Sequence, residues 1–235
     1  MTGMERGSAG EPSSAVAENV ARVRDRIDAA ACRAGRPPGS VRLVAVTKTV
    51  DADRIRAAYA AGVRDFGENY YQEAREKLSL FGPEVRWHFI GHLQTNKARN
   101  VVGRFALIHS VDRRELAAEL GRRATACGVT QPVLVEVRLD AAATKHGVDA
   151  EEALDLAFAV RETPGLDLLG LMGMPPYADD PEVVRPEFRR LRALFERLPE
   201  SNRRILSMGM TADFEAAIEE GATLVRIGTA IFGRR

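Results

Sequence analysis

The chain has 235 residues, 45% of them hydrophobic, and its 34 basic and 33 acidic residues leave a formal net charge of +1. That size suits one globular domain with a substantial core, or at most two small domains. A charge near zero gives no reason to expect nucleic acid or an acidic membrane surface as a partner. Cys32 and Cys127 form no CxxC pair and no metal-binding motif, so we expect the reducing cytoplasm and no bound metal.

Residues 1–14 are rich in Gly, Ser and Glu and contain no apolar stretch. This composition predicts a disordered tail rather than a signal peptide, followed by one domain at 15–235. No apolar run in the sequence has the length needed to cross a bilayer. The first helix is predicted from about Ser14 to Ala34, because apolar residues recur at helical spacing between 16 and 27.

Strand-like and helix-like segments alternate along the rest of the chain. The apolar runs predict eight strands, at 41–46, 63–67, 85–90, 105–110, 132–137, 166–172, 203–207 and 223–228. Helices are predicted between them, near 51–61, 69–79, 95–102, 112–126, 149–161, 182–197 and 211–220. This pattern predicts an α/β fold, a single (β/α)8 TIM-type barrel with an extra N-terminal helix. A doubly wound open sheet is the alternative.

Residues with capping preferences mark the ends of several predicted helices. Three polar residues are expected to cap N-termini: Asp112, Asp149 and Thr211. Three glycines are expected to end helices: Gly62, Gly128 and Gly221. The chain is expected to end with the barrel, because seven residues follow the last predicted strand.

A lysine ends the first predicted strand, in "VRLVAVTKTV". Lys48 is one of four lysines in a chain that has thirty arginines. Functional groups of such barrels lie at the C-terminal ends of the strands. Partial desolvation there would leave the amine of Lys48 available as a nucleophile for a carbonyl carbon. A lysine that simply reaches past the strand end to water is the alternative.

The last two strand ends predict an anion site. The loops after strands 7 and 8 are the usual phosphate site of this fold, and small residues let backbone N–H groups approach an anion. Ser207, Gly209, Gly228 and Thr229 are residues of that kind at those positions. Glycines that only make tight turns are the alternative. Together with Lys48, these loops indicate a phosphorylated aldehyde cofactor.

Arg226 lies in the last predicted strand, "TLVRIG", on the same face as Leu224 and Gly228. If that face points inward, Arg226 is a buried charge that needs a partner, and a pyridine nitrogen would serve. Arginine effectively never gives up its proton, so that nitrogen would stay unprotonated and the ring would be a weak electron sink. An arginine that points to solvent is the alternative.

Six motifs carry a family resemblance that covers the chain from about Val16 onward: "LVAVTKTV", "FGENYYQEAREK", "WHFIGHLQTNK", "HSVD", "GLMGM" and "LSMGMTADFEAAIEEGATLVRIGTAIFG". The chain resembles the pyridoxal phosphate homeostasis proteins, also called the YggS/PROSC family. Their fold is similar to the N-terminal barrel of alanine racemase. The resemblance implies a protein that binds pyridoxal 5′-phosphate (PLP) in the cell and takes part in PLP homeostasis.

The resemblance also implies roles for the residues already described. Lys48 would form the internal aldimine with PLP. Ser207, Gly228 and Thr229 would hold the phosphate, and Arg226 would face the ring nitrogen.

Four further residues are implied as cofactor-binding. Asn69, Met208 and Gly209 look like pocket residues. His88, in "WHFIGHLQ", is expected to end strand 3 and to face the cofactor. A core histidine with satisfied hydrogen bonds is the alternative for His88. No catalytic residue is expected.

Several other positions match the family or depart from it. His92 and Asn96 are expected in the loop and helix start after strand 3. Lys97 and Lys145 match family positions, with exposed salt-bridging lysines as the alternative. Family members commonly have Asn where this chain has Arg138, so the role of that position is open.

Three classes of function remain open. The first is a carrier that binds PLP, buffers it and passes it to PLP-dependent apoenzymes. The second is a PLP-dependent amino-acid racemase or another weak PLP enzyme. In alanine racemases the second base comes from a further domain, which is not expected here. The third is a barrel enzyme that forms its Schiff base with a phosphorylated sugar. We favour the carrier, as a monomer without nucleic-acid or membrane partners.

Overall fold

The computed structural model describes residues 11–139 and 146–233 of the chain. Eight strands close into one barrel in chain order, and all neighbouring strands are parallel. The strands are β1 (Arg42–Val46), β2 (Asp65–Glu68), β3 (Arg86–Phe89), β4 (Leu107–Val111), β5 (Gln131–Arg138), β6 (Leu166–Met174), β7 (Ile205–Ser207) and β8 (Leu224–Ile227).

Helices alternate with the strands and form the outer layer. They are α1 (Glu11–Arg33), α2 (Ala52–Ala60), α3 (Tyr71–Leu78), α4 (Ala98–Val101), α5 (Arg114–Ala126), α6 (Ala153–Arg161), α7 (Arg185–Glu196), α8 (Phe214–Glu219) and α9 (Thr229–Phe232). Short 3₁₀ turns lie at Thr95–Lys97, Pro181–Val183 and Glu200–Asn202. No helix among these residues is long and apolar enough to cross a membrane.

The predicted single barrel is confirmed, and the open-sheet alternative is wrong. β1 is hydrogen-bonded to β2 on one side and to β8 on the other, so the sheet has no edge strand. Each predicted strand and helix has a counterpart within a few residues of its predicted position. The prediction succeeded because alternating apolar runs of strand and helix length are the direct signature of βα units.

Helix α1 joins the first and last βα units of the barrel. It begins at Glu11, three residues before the predicted start, and the side chains of Val16, Val20, Val23 and Ile27 are buried. It packs against α2, α8 and α9. Asn19 donates a hydrogen bond to the backbone oxygen of Ile231 at 2.9 Å. The helix therefore covers the place where the ring of strands closes.

The predicted N-terminal caps are wrong, whereas the predicted helix ends are confirmed. Helices α5, α6 and α8 begin after Arg113, Glu152 and Asp213. The three expected caps, Asp112, Asp149 and Thr211, lie one to three residues earlier and have other partners. The three glycines expected at helix ends, Gly62, Gly128 and Gly221, all have the positive φ of a helix C-terminus. Tertiary contacts thus occupy the polar side chains, whereas the glycines keep the backbone conformation that ends a helix.

The barrel interior is part apolar and part polar. One buried apolar layer consists of Val44, Leu107, Leu134, Met172, Ile205 and Leu224. Other buried positions on the strands are polar: Asp65, His88, His109, Glu136, Ser207 and Arg226. Buried polar groups need hydrogen-bond partners, which the interior of the barrel has to supply for this second set.

Candidate functional site

A cavity of about 800 Å³ opens at the C-terminal ends of the strands. This end of the barrel is where the fold places its functional groups, and the volume lies within the usual range of ligand pockets. Lys48, Asn69 and Arg226 line the cavity as predicted, on the segments that end β1, β2 and β8. The sequence therefore predicted the end of the barrel at which the cavity opens and three residues of its lining.

A strained turn directs Lys48 into the cavity. The backbone oxygen of Thr47 accepts a hydrogen bond from the Val50 N–H at 2.9 Å, which closes the turn around Lys48. Thr49 has a φ of 59°, the only positive φ of a non-glycine residue in the described part of the chain. That conformation is costly for a β-branched residue and persists only where the surroundings impose it. Here the Glu73 carboxylate accepts the Thr49 N–H at 3.0 Å and helps to hold the turn.

A second lysine, Lys77 on α3, is fixed on the outer side of the same turn. Its amine donates to the Glu68 carboxylate at 2.8 Å and to the Thr47 backbone oxygen at 2.7 Å. Thr47 donates its hydroxyl to the same carboxylate at 2.5 Å. The amine of Lys48, in contrast, has no hydrogen bond or ion pair with any described residue. Of these two lysines, only Lys48 presents an uncommitted amine to the cavity.

Loops after β2 and β3 approach each other closely at the cavity wall. A Cβ atom on Gly91 would lie 2.2 Å from the backbone oxygen of Asn69, so only glycine fits there. This contact holds Asn69 at the cavity beside the loop that carries His92. The glycine of "WHFIGH" is therefore needed to pack the two loops together.

Arg226 points inward, as predicted, and is 3% exposed. It donates to the Ser207 hydroxyl at 2.6 Å and to the Gly173 backbone oxygen at 3.1 Å. Burial lowers the pKa of Arg226 to about 10, so the guanidinium stays charged at neutral pH. It forms no ion pair with a described carboxylate, although the nearby Glu136 and Asp213 attract its charge, and it lines the cavity. The cavity floor therefore carries a positive charge whose contacts are neutral oxygens.

A chain of buried hydrogen bonds leads away from Arg226 through the barrel interior. Ser207 contacts His109 Nδ1 at 3.0 Å, and His109 Nε2 contacts His88 Nδ1 at 3.0 Å. His88 Nε2 then contacts the Asp65 carboxylate at 3.0 Å. The Ser207–His109 bond joins β7 to β4, which are not neighbours in the sheet, so it crosses the interior. We call these five residues the interior relay.

The charges at the two ends give the interior relay a single direction. Arg226 can only donate to Ser207, and the Asp65 carboxylate can only accept from His88. The hydroxyl proton of Ser207 then points to His109 Nδ1, and the Nε2–H groups of both histidines point toward Asp65. Burial lowers the pKa of both His88 and His109, which agrees with two neutral rings. Each histidine thus has a defined tautomer.

Asp65 remains ionised at the far end of the interior relay. Burial opposes ionisation, but hydrogen bonds from Arg86 and His88 hold the pKa of Asp65 below its ordinary value. Arg86 reaches both carboxylate oxygens, at 2.8 and 2.6 Å. A bidentate pair of this kind is strong and directional. The acceptor at the end of the relay is therefore fixed in charge and position.

The structure does not place His88 in the cavity lining. It is 1% exposed, and both of its ring nitrogens are bonded within the interior relay. This is the arrangement of the alternative given above, a core histidine with satisfied hydrogen bonds. An inward-facing residue of a barrel strand can lie either at the cavity or deeper in the barrel interior. The sequence shows that the residue faces inward but not how deep it lies.

The residues predicted to hold the phosphate, Ser207, Gly209, Gly228 and Thr229, are also absent from the described lining of the cavity. Ser207 is buried in the interior relay, and Met208 packs into the outer core. Gly209 has a φ of 93°, and a Cβ atom there would lie 2.7 Å from that of Ala217.

Gly228 and Thr229 lie at the start of α9, where Thr229 is exposed. The two loops meet, because the Thr211 hydroxyl accepts the Ala230 N–H at 3.4 Å. Met210 and Arg226, the neighbours of these residues, do line the cavity.

Glu136 is a cavity residue that the sequence reading missed. It lies on the inward face of β5, is 4% exposed and lines the cavity near Arg226. Burial and the nearby Asp112 raise the pKa of Glu136 to about 7, against the attraction of Arg226. The alternation in "VLVEVR" could have revealed it, because Leu134 and Glu136 share one face of the strand.

The remaining predicted positions lie around the cavity mouth. His92, Lys97 and Arg138 line the cavity, whereas Asn96 is exposed and lies outside the lining. Arg138 forms an ion pair with Asp149, which explains why that carboxylate does not cap α6.

Lys97 is exposed and forms no ion pair with a described residue. Lys145 lies outside the described residues.

Comparisons with known proteins assign the barrel first to a class. The family model of the alanine racemase N-terminal domain matches residues 13–235. An alanine racemase from Corynebacterium glutamicum superposes with a TM-score of 0.68 at 19% identity, over 95% of this chain and 61% of that one. At that identity the likeness concerns the fold alone.

Closer relatives define the family. A pyridoxal phosphate homeostasis protein from Aquifex aeolicus is 46% identical over 222 residues, which are 93% of this chain and 97% of that protein. The structure of PipY from Synechococcus elongatus with PLP bound superposes with a TM-score of 0.78 at 35% identity, over 93% and 100% of the two chains. The chain belongs to the pyridoxal phosphate homeostasis protein family.

Replacing Ser207 tests the interior relay. Ser207→Ala leaves an Arg226 N–H and His109 Nδ1 without their partner in the buried interior, and we expect a loss of about 2 to 4 kcal/mol in the free energy of unfolding. Ser110→Ala is the matched control, because the Ser110 hydroxyl is buried without a partner among the described residues. Urea unfolding of the cofactor-free proteins should show little change or a gain for the control. Equal losses in the two variants would contradict the relay.

Glu136→Gln tests the raised pKa of the cavity carboxyl. A carboxyl whose pKa rises from 4.5 to about 7 on folding stabilises the fold below pH 4.5, and this contribution is lost between pH 4.5 and 7. We therefore expect the variant to gain stability relative to the natural chain as the pH rises from 5 to 8, by on the order of 2 to 3 kcal/mol. Urea unfolding across that range measures the gain. If the free energies of unfolding of the two proteins changed with pH in parallel, Glu136 would ionise with its ordinary pKa.

Proposed function

We propose that this protein binds PLP as a Schiff base on Lys48 and serves intracellular PLP homeostasis. The observation that carries the proposal is the uncommitted amine of Lys48, which faces a cavity whose floor is the charged guanidinium of Arg226. The family relatives that are named for PLP homeostasis, and the PLP bound to PipY, support the same ligand.

The donor set of the cavity fits an anionic, phosphorylated aldehyde. Lys48, Lys97, Arg138 and Arg226 line it, and Glu136 is the acidic residue among the described lining. PLP supplies an aldehyde that an amine attacks, with loss of water, and a phosphate that suits a cationic pocket. Lys48 would hold the aldehyde carbon.

Arg226 would act on the ring nitrogen of the cofactor. Ser207 and Gly173 fix the guanidinium from behind, so its remaining N–H groups face the cavity. Because arginine keeps its proton, a ring nitrogen that accepts from Arg226 stays unprotonated. Such a ring withdraws electrons weakly, which favours holding the cofactor over driving chemistry on an amino acid.

The phosphate would lie at the two loops that meet beside Arg226. We propose that Gly209, Gly228 and Thr229 contact it through backbone N–H groups and the Thr229 hydroxyl. The Ser207 hydroxyl is already shared between Arg226 and His109, so its proposed contribution is to position Arg226.

A carrier without strong catalysis suits the open mouth of the cavity. Tyr70 and Tyr177 line the cavity but are 56% and 79% exposed, so water reaches the site. The other lining tyrosine, Tyr71, has its hydroxyl bonded to Arg104. A racemase needs a second, shielded base opposite Lys48, and none of these three offers one. The likeness to alanine racemases keeps a PLP-dependent racemase as the alternative.

The remaining parts of the proposal concern where the protein acts and with what. We propose a cytoplasmic monomer that passes PLP to PLP-dependent apoenzymes. The two cysteines, Cys32 and Cys127, are free and exposed, which suits a reducing compartment. Asn69 lines the cavity and would contact the cofactor, which the open mouth would let enter and leave without a large movement of the barrel.

Lys48→Ala tests the covalent attachment. Added PLP should give the natural chain a visible Schiff-base absorbance band, and borohydride followed by peptide mapping should place a pyridoxyl group on Lys48. The variant should lose both signals, because no other described amine of the cavity floor is available. Lys97→Ala is the matched control, since Lys97 lines the same cavity at its mouth and should leave both signals intact. A band that persists in Lys48→Ala, or no band in the natural chain, would defeat the proposal.

Deuterium exchange at the α-carbon of L- and D-amino acids separates the carrier from the racemase. With PLP bound, we expect exchange no faster than with free PLP in the same buffer, because the ring nitrogen stays unprotonated and no second base is shielded from water. Proton NMR in deuterated buffer measures the rate. Exchange at the turnover of ordinary enzymes, on the order of 1 per second or more, would favour the racemase.

A further inference from the structure

Three potential metal ligands meet at the mouth of the cavity. His92 follows β3, Asp112 follows β4, and His146 lies between β5 and α6. Their ligand atoms all lie within 4.8 Å of one another. The two imidazole rings are stacked, with centroids 3.7 Å apart and an angle of 12° between their planes. His92 Nδ1 is 3.5 Å from one carboxylate oxygen of Asp112.

Asp112 is held so that one oxygen remains for a ligand. Arg113 binds the Oδ1 atom of Asp112 and also donates to the Leu93 backbone oxygen and to the Thr95 hydroxyl, both at 3.0 Å. These bonds fix the arginine and, through it, the carboxylate. The Oδ2 atom, which faces His92, is the oxygen left over. Outer contacts that orient a ligand in this way are typical of built metal sites.

As they stand, the two stacked rings are nearly parallel, so their in-plane lone pairs do not converge on one point. Binding one ion through both nitrogens therefore requires one ring to rotate out of the stack. Both histidines are exposed, which leaves room for that rotation. A neutral imidazole is the form that binds metals.

We propose that His92, Asp112 and His146 bind one divalent transition-metal ion of the zinc type. Two imidazole nitrogens and one carboxylate oxygen make up three positions of a tetrahedral zinc site, with water in the fourth. Magnesium and calcium prefer all-oxygen ligand sets, which this cluster does not offer. His92 and His146 line the same cavity as Lys48 and Arg226, but none of the three proposed ligands is a residue proposed above to hold PLP.

The proposed metal site lies at the cavity, and the chain offers few other side chains that would bind the same ion. His92 and His146 line the cavity, so a bound ion joins the segments after β3, β4 and β5 across its mouth. The chain has four histidines, and the other two are buried in the interior relay. The exposed thiols of Cys32 and Cys127 are the other soft ligands available to an added metal.

Zinc titration of the full-length, PLP-free protein tests the proposal, with a chromophoric chelator as competitor. We expect one zinc ion per chain, and at least tenfold weaker binding in His92→Gln and in His146→Gln. Both histidines are at the surface end of the barrel, so these variants should keep the thermal stability of the natural chain. Cobalt(II) in place of zinc should give the intense visible bands of a tetrahedral nitrogen and oxygen site.

The double variant Cys32→Ser/Cys127→Ser is the matched control. It removes the exposed thiols and should bind zinc with unchanged stoichiometry and affinity. Absence of zinc binding by the natural chain would overturn the proposal. So would binding that survives both histidine substitutions or disappears in the cysteine variant. Zinc titration of Lys48→Ala separates this site from the proposed cofactor site, because that variant should bind zinc like the natural chain.

Discussion

A guanidinium buried inside the barrel is the constraint on which the rest of the site depends. Arg226 has exchanged water for the Ser207 hydroxyl and the Gly173 backbone oxygen, neither of which cancels its charge. Its donation to Ser207 sends the hydroxyl proton toward His109, and that orders the bonds through His88 as far as Asp65. One inward-facing cation therefore explains two histidine tautomers, while Arg86 and His88 keep the carboxylate of Asp65 charged at the far end.

Two lysines at this end of the barrel differ in their surroundings. Lys77 lies on the helix side of the strand end, where Glu68 and the backbone of Thr47 occupy its amine. Lys48 lies one residue beyond Thr47, in the turn that the Val50 N–H closes on the Thr47 oxygen, and it lines the cavity. The positive φ of Thr49 then turns the chain away while Lys48 stays at the cavity. Local geometry thus selects the amine for the proposed Schiff base.

The floor and the mouth of the cavity carry different groups, and this difference bears on the proposed function. The proposed cofactor would lie between Lys48 and Arg226, on a floor held rigid by the interior relay. The mouth carries a different set of groups, with exposed tyrosines and the paired rings of His92 and His146. A rigid floor and an open mouth suit a protein that holds a ligand and releases it. They suit much less an enzyme that must exclude water while it moves a proton.

The sequence by itself determined the order of elements, the closed barrel and the end of it at which Lys48 and Arg226 lie. These features depend on apolar periodicity and strand alternation, which are local properties of the chain. Only the tertiary structure decided that His88 lies in the interior, that Ser207 is committed to Arg226, and that Glu136 reaches the cavity. It also brought His92 and His146 together from positions 54 residues apart. Depth along a barrel and contacts between distant loops arise from packing, and no local pattern records them.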